Sequence, residues 1–420
     1  MFYWRQSSLS RFCKSLVLCL PVSAVLFTAS PAQARSRHSN RQQPRYQPTP
    51  QPAQRGEKAL RKSVEGCGEK AILTIATYNI ENFWDDVESN SGSANYNEYK
   101  ANGSNWYSDK MYHKKAVNLV DAVRMAGAPD VVAMQEIESA NNTSRSLEIL
   151  KPYAEALGYK YFALGLQNTD NPVSVTTAVM SKYPIVKNER LDFTVNSVQF
   201  ASSNHEDDTV TELDSSARDP QVVTINVQGQ AVRLYTAHWK SRRGDQSAGN
   251  AMRNAVAELI KKDIDQQIAS KPNLDVVVLG DFNSDYNETP LQIGLNSTDD
   301  KNTLKSDVTS DKMYNLWFEL PSAERCSYLH NGELQCLDHM LVNASLFDGK
   351  GVDLVEESFL VVGHNGGEAS QKLLRSDNRT PHRWGMQKNN GRSFFTGTGY
   401  SDHLPLVATF KVPSLCTAGR

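Results

Sequence analysis

The pattern of apolar runs predicts an α+β fold, a four-layer α/β/β/α sandwich in which two mixed β-sheets stack and helices cover their outer faces. Two observations carry this reading. Strand-like runs alternate with helix-spaced segments at first, and then mainly strand-like runs follow. Acids, amides and histidines gather where the strand runs end, which is where a rigid scaffold presents catalytic groups.

Residues 73–79 (LTIATYN) form a β-rich run, and the polar stretch 84–109, with its Asn, Ser, Gly and Tyr, reads as a long loop. Residues 110–125 place Ala116, Leu119, Val120 and Val123 at helical spacing. Pro129-Asp130 starts a buried strand, VVAMQE, at 131–136, and 147–157 is a second helix. Strands are expected at 159–164, 173–180, 185–193, 221–227 and 231–238. A long amphipathic helix covers 248–268, and LDVVVLG at 274–280 is a buried strand. Strand runs at 334–342, 354–361 and 404–410 complete the set. No repeat of solenoid period is present.

The 420 residues suffice for one large domain, and 39% hydrophobic with 22% charged residues is ordinary for a soluble globular chain. A formal net charge of −2 excludes nucleic-acid binding by bulk electrostatics but not by a local basic patch. The first 34 residues read as a secretory signal. Arg5, Arg11 and Lys14 precede an apolar stretch at 15–29, and Pro31-Ala32-Gln33-Ala34 places cleavage after Ala34. That stretch is short of the ~20 residues a bilayer span needs, and no later run is longer. Residues 35–66 are rich in Arg, Gln and Pro and nearly free of apolar side chains, so a disordered linker is expected. Its cations Arg35, Arg37, Arg41, Arg45, Arg55, Lys58, Arg61 and Lys62 make it a solvated tail or an electrostatic attachment to an anionic surface. The folded domain is expected at 67–416, exported to the periplasm or the medium.

Of six cysteines, Cys13 and Cys19 leave with the signal. Cys67, Cys326, Cys336 and Cys416 remain, with three possible pairings. Cys326 and Cys336 are symmetric about Asn331 in CSYLHNGELQC, so a hairpin with a three-residue loop sets them opposite each other. A loop of Asn331-Gly332 alone misses the register by one. Cys67–Cys416 follows by elimination, and export into an oxidising compartment favours both bridges.

Glu136 ends VVAMQE, a run with no other charge. A carboxylate at such a mouth is either solvated or holds a cation, and its hard oxygen suits Mg²⁺, Mn²⁺ or Ca²⁺. Asn79 can add an amide oxygen. In Gly280-Asp281-Phe282-Asn283, the glycine allows a tight turn, and Asp281 and Asn283 can point to one side as a base and an amide donor for a phosphate oxygen. Asp402 and His403 are adjacent and must diverge, so Asp402 is expected to face a metal and His403 a phosphate. The imidazole then needs an orienting partner on its other nitrogen, and Asp338 in LDHM is the candidate. His238 in TAHWKS supplies a second imidazole. His205, His330 and His339 are expected to have no chemical role.

Together these pieces resemble the endonuclease/exonuclease/phosphatase superfamily, whose best-known shape is the pancreatic-type deoxyribonuclease. TYNIENFW, PDVVAMQEIE, ARDPQVVTINV, LYTAHWKSRRG, VVVLGDFNSD, CLDHMLV and YSDHLPLVATF occur in the family's order between about 70 and 411. The resemblance implies that Asn79, Glu136 and Asp402 hold a divalent metal, Mg²⁺ first among the candidates. It implies that Asp281 and Asn283 orient the water and the phosphate, that His403 with Asp338 and His238 are catalytic, and that Arg218 approaches the substrate phosphate. The expected reaction is in-line attack by water without a covalent intermediate, with Asp281 or the Asp338–His403 pair as base. The general acid stays open between the histidines.

Lys240, Arg242 and Arg243 follow His238, and Lys182 and Lys187 flank a turn, so a cationic rim for a polyanion is expected. Trp106, Tyr107 and Tyr112 could stack on bases or pack the loop. HWKSRRG and the Asn/Tyr-rich insertion resemble secreted bacterial nucleases, which implies a nucleic-acid substrate, a monomer and no membrane insertion. The alternative is a lipid or small-molecule phosphodiesterase of the same superfamily. A binding module without activity would lack a site residue, and none is missing.

Overall fold

Alternation along single strands builds the layers. In β8, Asp275–Asp281, Val277 and Leu279 join the core between the sheets, while Val276 and Val278 join the core under a helix. The structure is a computed structural model that describes residues 72–84, 109–168, 175–194, 218–244, 246–389 and 392–413. The chain divides into Met1–Pro48 and Thr49–Arg420, and the described residues all lie in the second unit. The expected signal, the linker, Cys67, Cys416, His205, Trp106 and Tyr107 lie outside the described residues.

The elements before β8 are β1 Ile72–Phe83, α1 Asp109–Met125, β2 Val131–Glu138, α2 Arg145–Glu155, β3 Tyr161–Leu164, β4 Val175–Ser181, β5 Ile185–Arg190, β6 Gln221–Val227, β7 Gln230–His238 and α3 Gln246–Ser270. After it come β9 Ser297–Thr298, α4 Lys301–Ser306, β10 Met313–Asn315, β11 Tyr328–His330, β12 Glu333–Gln335, β13 Asp338–Val342, β14 Asp353–Leu354, β15 Leu360–Val361, α5 Gly367–Leu373, β16 Met386–Asn389, β17 Arg392–Phe395 and β18 Leu406–Lys411. The first sheet runs β14-β18-β1-β2-β4-β3, with β15 also on β18, and the second runs β5-β6-β7-β8-β13-β10-β9. β1–β2 and β7–β8 are parallel, and their other neighbours are antiparallel, so both sheets are mixed. α1 and α2 pack on the first sheet through Ala116, Leu119, Leu147 and Leu150. α3 covers the second through Ala251, Met252, Ala255, Val256 and Ile260. Each such buried leucine, valine, isoleucine or methionine side chain contributes roughly 1.5–3 kcal/mol, which makes this packing the main source of rigidity. The α/β/β/α sandwich expected from the sequence is the observed architecture.

Three expectations need correction. The run at 334–342 is two strands, β12 and β13, because Cys336-Leu337 turns between the hairpin and the sheet. The run at 354–361 is likewise split into β14 and β15. The Cys326–Cys336 bridge is absent, and both thiols are free and buried. The reason is register. β11 and β12 are joined by Asn331-Gly332, both left-handed, which pairs Tyr328 with Gln335 and His330 with Glu333. The Ser327 N–H therefore donates to Gln335 O, Cys326 falls one residue short of facing Cys336, and the Cys336 thiol donates to Arg325 O instead.

Gly280 shows how tightly β8 lies on β7. Its φ is +144°, and a Cβ there would sit 2.0 Å from Ala237 O. Gly280→Ala is expected to cost at least about 2 kcal/mol, read as a lower urea midpoint, because backbone has to move. A midpoint equal to wild type would contradict this packing.

Candidate active site

The register of the second sheet places His238, Asp281 and Asp338 in one row across β7, β8 and β13. In the first sheet, Asn79 lies opposite Gln135, one residue before Glu136. His403 precedes β18, which runs antiparallel to β1 with Leu406 opposite Thr77. All six residues thus reach the same end of the sandwich, where β1, β2, β7 and β8 finish and β13 and β18 begin.

Backbone irregularity aims them. Glu136 is the extra residue of a bulge between Gln135 and Ile137, with φ +68°. Asn283 has φ +48°, and Glu81 and Asn82 have φ +52° and +49° in a local turn inside β1, where the register with β2 shifts between Asn79 and Phe83. Left-handed backbone at non-glycine residues costs on the order of 1–3 kcal/mol each and persists where surroundings enforce it. The turn has such enforcement. The Asn82 N–H donates to Glu136 Oε2 at 2.7 Å, and the Glu81 N–H donates to Asn79 Oδ1 at 3.0 Å.

Asp281 Oδ2 is the meeting point. Asn79 Nδ2 donates to it at 2.9 Å and to Glu136 Oε1 at 3.2 Å. His238 Nε2 lies 3.6 Å and His403 Nε2 3.8 Å from the same oxygen. Burial raises the Asp281 carboxyl to about 7, with His403 pulling it down and Asp338 pushing it up. Burial depresses His238 well below the ordinary imidazole value, and Arg218 and His403 add to this, so the ring is neutral near pH 7.

His403 goes the other way. Burial opposes its charge, but Asp338 and Asp281 outweigh that and raise it well above the ordinary value. Its Nδ1 donates to Asp338 Oδ2 at 2.7 Å, and the Ser327 hydroxyl donates to the same oxygen at 2.5 Å. Tyr328 packs on the ring at a centroid distance of 4.6 Å.

The other expected residues are placed differently, some at the site and some away from it. Asn283 donates through Nδ2 to Trp239 O at 3.2 Å, and its N–H donates to Asp281 Oδ1 at 2.9 Å. Arg218 is half-buried beside His238 and donates to Val175 O. Lys240 is half-buried and Arg243 exposed, with the Arg243 charge felt at Tyr328. Arg242 does not belong to an open cationic rim, because Asp285 and Glu288 bind its guanidinium at 3.0 and 2.8 Å. Lys182 and Lys187 are also not on the rim. Ser181 pairs with Val131, the start of β2, whereas Glu136 is near its end. Tyr112 is 1% exposed and cannot stack on a base. Asp402, adjacent in sequence to His403, lies 3.6 Å from Arg383, and its charge is felt at Glu81, Lys115 and His403. His339 is a core residue held by Asn315 and Ser284 O, and His330 is exposed on the hairpin. Glu81, inside TYNIENFW, borders the site together with Ser327, Tyr328, Lys115 and Arg383, and no expectation singled these residues out.

The residues fit a divalent cation. Asp281, Asp338 and His403 offer ligand atoms within 4.8 Å of one another. Asp338 Oδ1 is buried without a hydrogen-bond partner, and Glu136 adds a further hard oxygen. Asn79 faces the carboxylates with its NH₂ group, so service as an oxygen donor requires its amide to turn over.

The Asp338–His403 pair has a consequence for pH. A raised imidazole value adds stability that is present below the unfolded value near 6.5 and is lost as pH rises through the folded value. Asp338→Asn should therefore lower the His403 titration toward the ordinary range, read from the imidazole resonances by NMR. An unchanged titration would contradict the pairing.

The model of the endonuclease/exonuclease/phosphatase family matches residues 74–411. A comparison with curated proteins gives no match. Among solved structures, truncated Caenorhabditis elegans TDP2 is similar at 15% identity and TM-score 0.45, covering 81% of this chain and 98% of that one. Sphingomyelinase C from Streptomyces griseocarneus is similar at 16% identity and TM-score 0.49, covering 81% and 99%. A family protein from Bacteroides thetaiotaomicron is similar at 14% identity and TM-score 0.44, covering 82% and 96%. The match over 74–411 spans most of the 420 residues, and the chain belongs to the endonuclease/exonuclease/phosphatase family.

Proposed function

We propose that the chain is an exported, divalent-metal-dependent phosphodiesterase that hydrolyses DNA or RNA with low sequence specificity. One observation carries the reading. Two imidazoles in opposite charge states and an asparagine amide converge on one buried carboxylate oxygen, Asp281 Oδ2.

Phosphodiester hydrolysis builds charge on the phosphoryl oxygens and the leaving oxygen. A bound divalent ion supplies Lewis-acid charge there, and Glu136 is placed to hold it, which leaves Asp281 as the base. Asp281, raised to about 7, is matched to taking a proton from water at neutral pH. His403, kept cationic by Asp338, can hold a phosphoryl oxygen or give a proton to the leaving oxygen. Neutral His238 and the Asn283 amide are donors for the remaining oxygens. Arg218 beside His238 and Arg243 near Tyr328 support a polyanionic substrate, whose backbone charge extends past the scissile bond. Among the described residues no helix is long and apolar enough to cross a membrane.

Incubation with plasmid DNA, RNA, sphingomyelin and a chromogenic phosphodiester tests the reading. Metal-dependent nicking that chelator abolishes is expected, with Glu136→Ala and His403→Ala each at least ~100-fold slower. Turnover of lipid alone would replace the nuclease reading with the lipid one. Near-normal turnover by either variant would remove the site assignment.

A further inference from the structure

Arg383 lies outside every motif of the site, yet its guanidinium reaches the turn that follows Asn79. Its Nε donates to Glu81 Oε1 at 2.8 Å, Nη2 donates to the same oxygen, and the Trp384 N–H donates to Oε2 at 3.1 Å. Glu81 is 4% exposed, so these donors satisfy its carboxyl oxygens where bulk water does not reach. Lys115 Nζ donates to the carbonyls of Glu81 and Asn82, which pins the same turn from α1. The segment bearing Arg383 is itself fixed. The Tyr400 N–H donates to His382 O at 2.7 Å, the Gly385 N–H to Thr398 O at 3.0 Å, and the Ser401 hydroxyl to Asn79 O at 2.6 Å.

The turn has a task. Glu81 and Asn82 are both left-handed, and in that shape the Glu81 N–H holds Asn79 Oδ1 while the Asn82 N–H holds Glu136 Oε2. Asn79 Nδ2 is thereby aimed at Glu136 and Asp281. We propose that Arg383 is a positioning residue of this site: through Glu81 it fixes the 79–82 turn and so orients the Glu136 and Asp281 carboxylates. The role deepens the phosphodiesterase reading above and rests on it. A guanidinium that only competed with a metal for Glu81 and Asp402 would act in the opposite direction, which makes the two separable.

The measurement is Mn²⁺ binding without substrate, by isothermal titration, for wild type, Arg383→Met and Arg383→Lys. Outer partners of ligating residues typically change metal affinity ~10–100-fold. Arg383→Met should bind Mn²⁺ about tenfold or more weakly. Added guanidinium should restore part of that affinity, and equal sodium chloride should not. In turnover, kcat should fall while KM for DNA changes little. Arg383→Lys keeps the charge but not the two-nitrogen contact, so it should also bind more weakly, and it decides the question if Arg383→Met does not fold. Unchanged or tighter Mn²⁺ binding by the variants overturns the proposal, as does a wild type that binds no Mn²⁺. A wild type that binds Mn²⁺ but cleaves no phosphodiester removes the functional reading instead, and the variants' Mn²⁺ affinities still decide the role of Arg383.

Discussion

The site depends on keeping several carboxylates out of water within a few ångströms of one another. Asp281, Asp338 and Glu81 are all nearly fully buried. An isolated buried carboxylate is costly enough that it would take up a proton or unfold its surroundings. Each is therefore supplied with its own donors. Asp281 receives the Asn79 amide and the Asn283 N–H, Asp338 receives His403 and Ser327, and Glu81 receives Arg383 and the Trp384 N–H. Burial still raises both Asp281 and Glu81 to about 7, and a raised carboxyl at the mouth of a site is a candidate base or cation ligand.

Rigidity beneath the site comes from the two aliphatic cores, and precision comes from departures at its edge. β2 bulges at Glu136, Gly280 lets β8 press on β7, and the turn after Asn79 takes two left-handed residues in succession. A regular strand would alternate its side chains and send neighbours to opposite faces. The bulge re-aims Glu136 toward Asn79 instead. Strain of this kind is tolerated where hydrogen bonds over-determine it, and it is concentrated at Glu81, Asn82, Glu136 and Asn283.

Much of this was legible in the sequence, for local reasons. VVVLGD and VVAMQE are runs with a single acid at their end, so both the strands and the placement of Asp281 and Glu136 at their ends follow from burial. The pairing of His403 with a distant carboxylate was expected from the needs of an imidazole, and Asp338 lies at 2.7 Å. What could not be read were contacts set by tertiary register. The choice between a three-residue loop and Asn331-Gly332 alone stayed open in the sequence, and the two-residue turn keeps Cys326 from facing Cys336. Lys182 and Arg242 are cations near functional motifs, but one sits at the wrong end of its strand and the other is held by two acids. Arg383 carries no local signal, because its meaning comes from Glu81, far away in the chain.

Anomalous diffraction from crystals grown with Mn²⁺ addresses the central claim most directly, namely that residues from both sheets form one cation-dependent centre. A peak bonded to the carboxylate oxygens of Glu136 or Asp281, within reach of His238 and His403, is the predicted result. Saturating Mn²⁺ that leaves this end of the sandwich without a peak, or binds only at a distant surface, would contradict it.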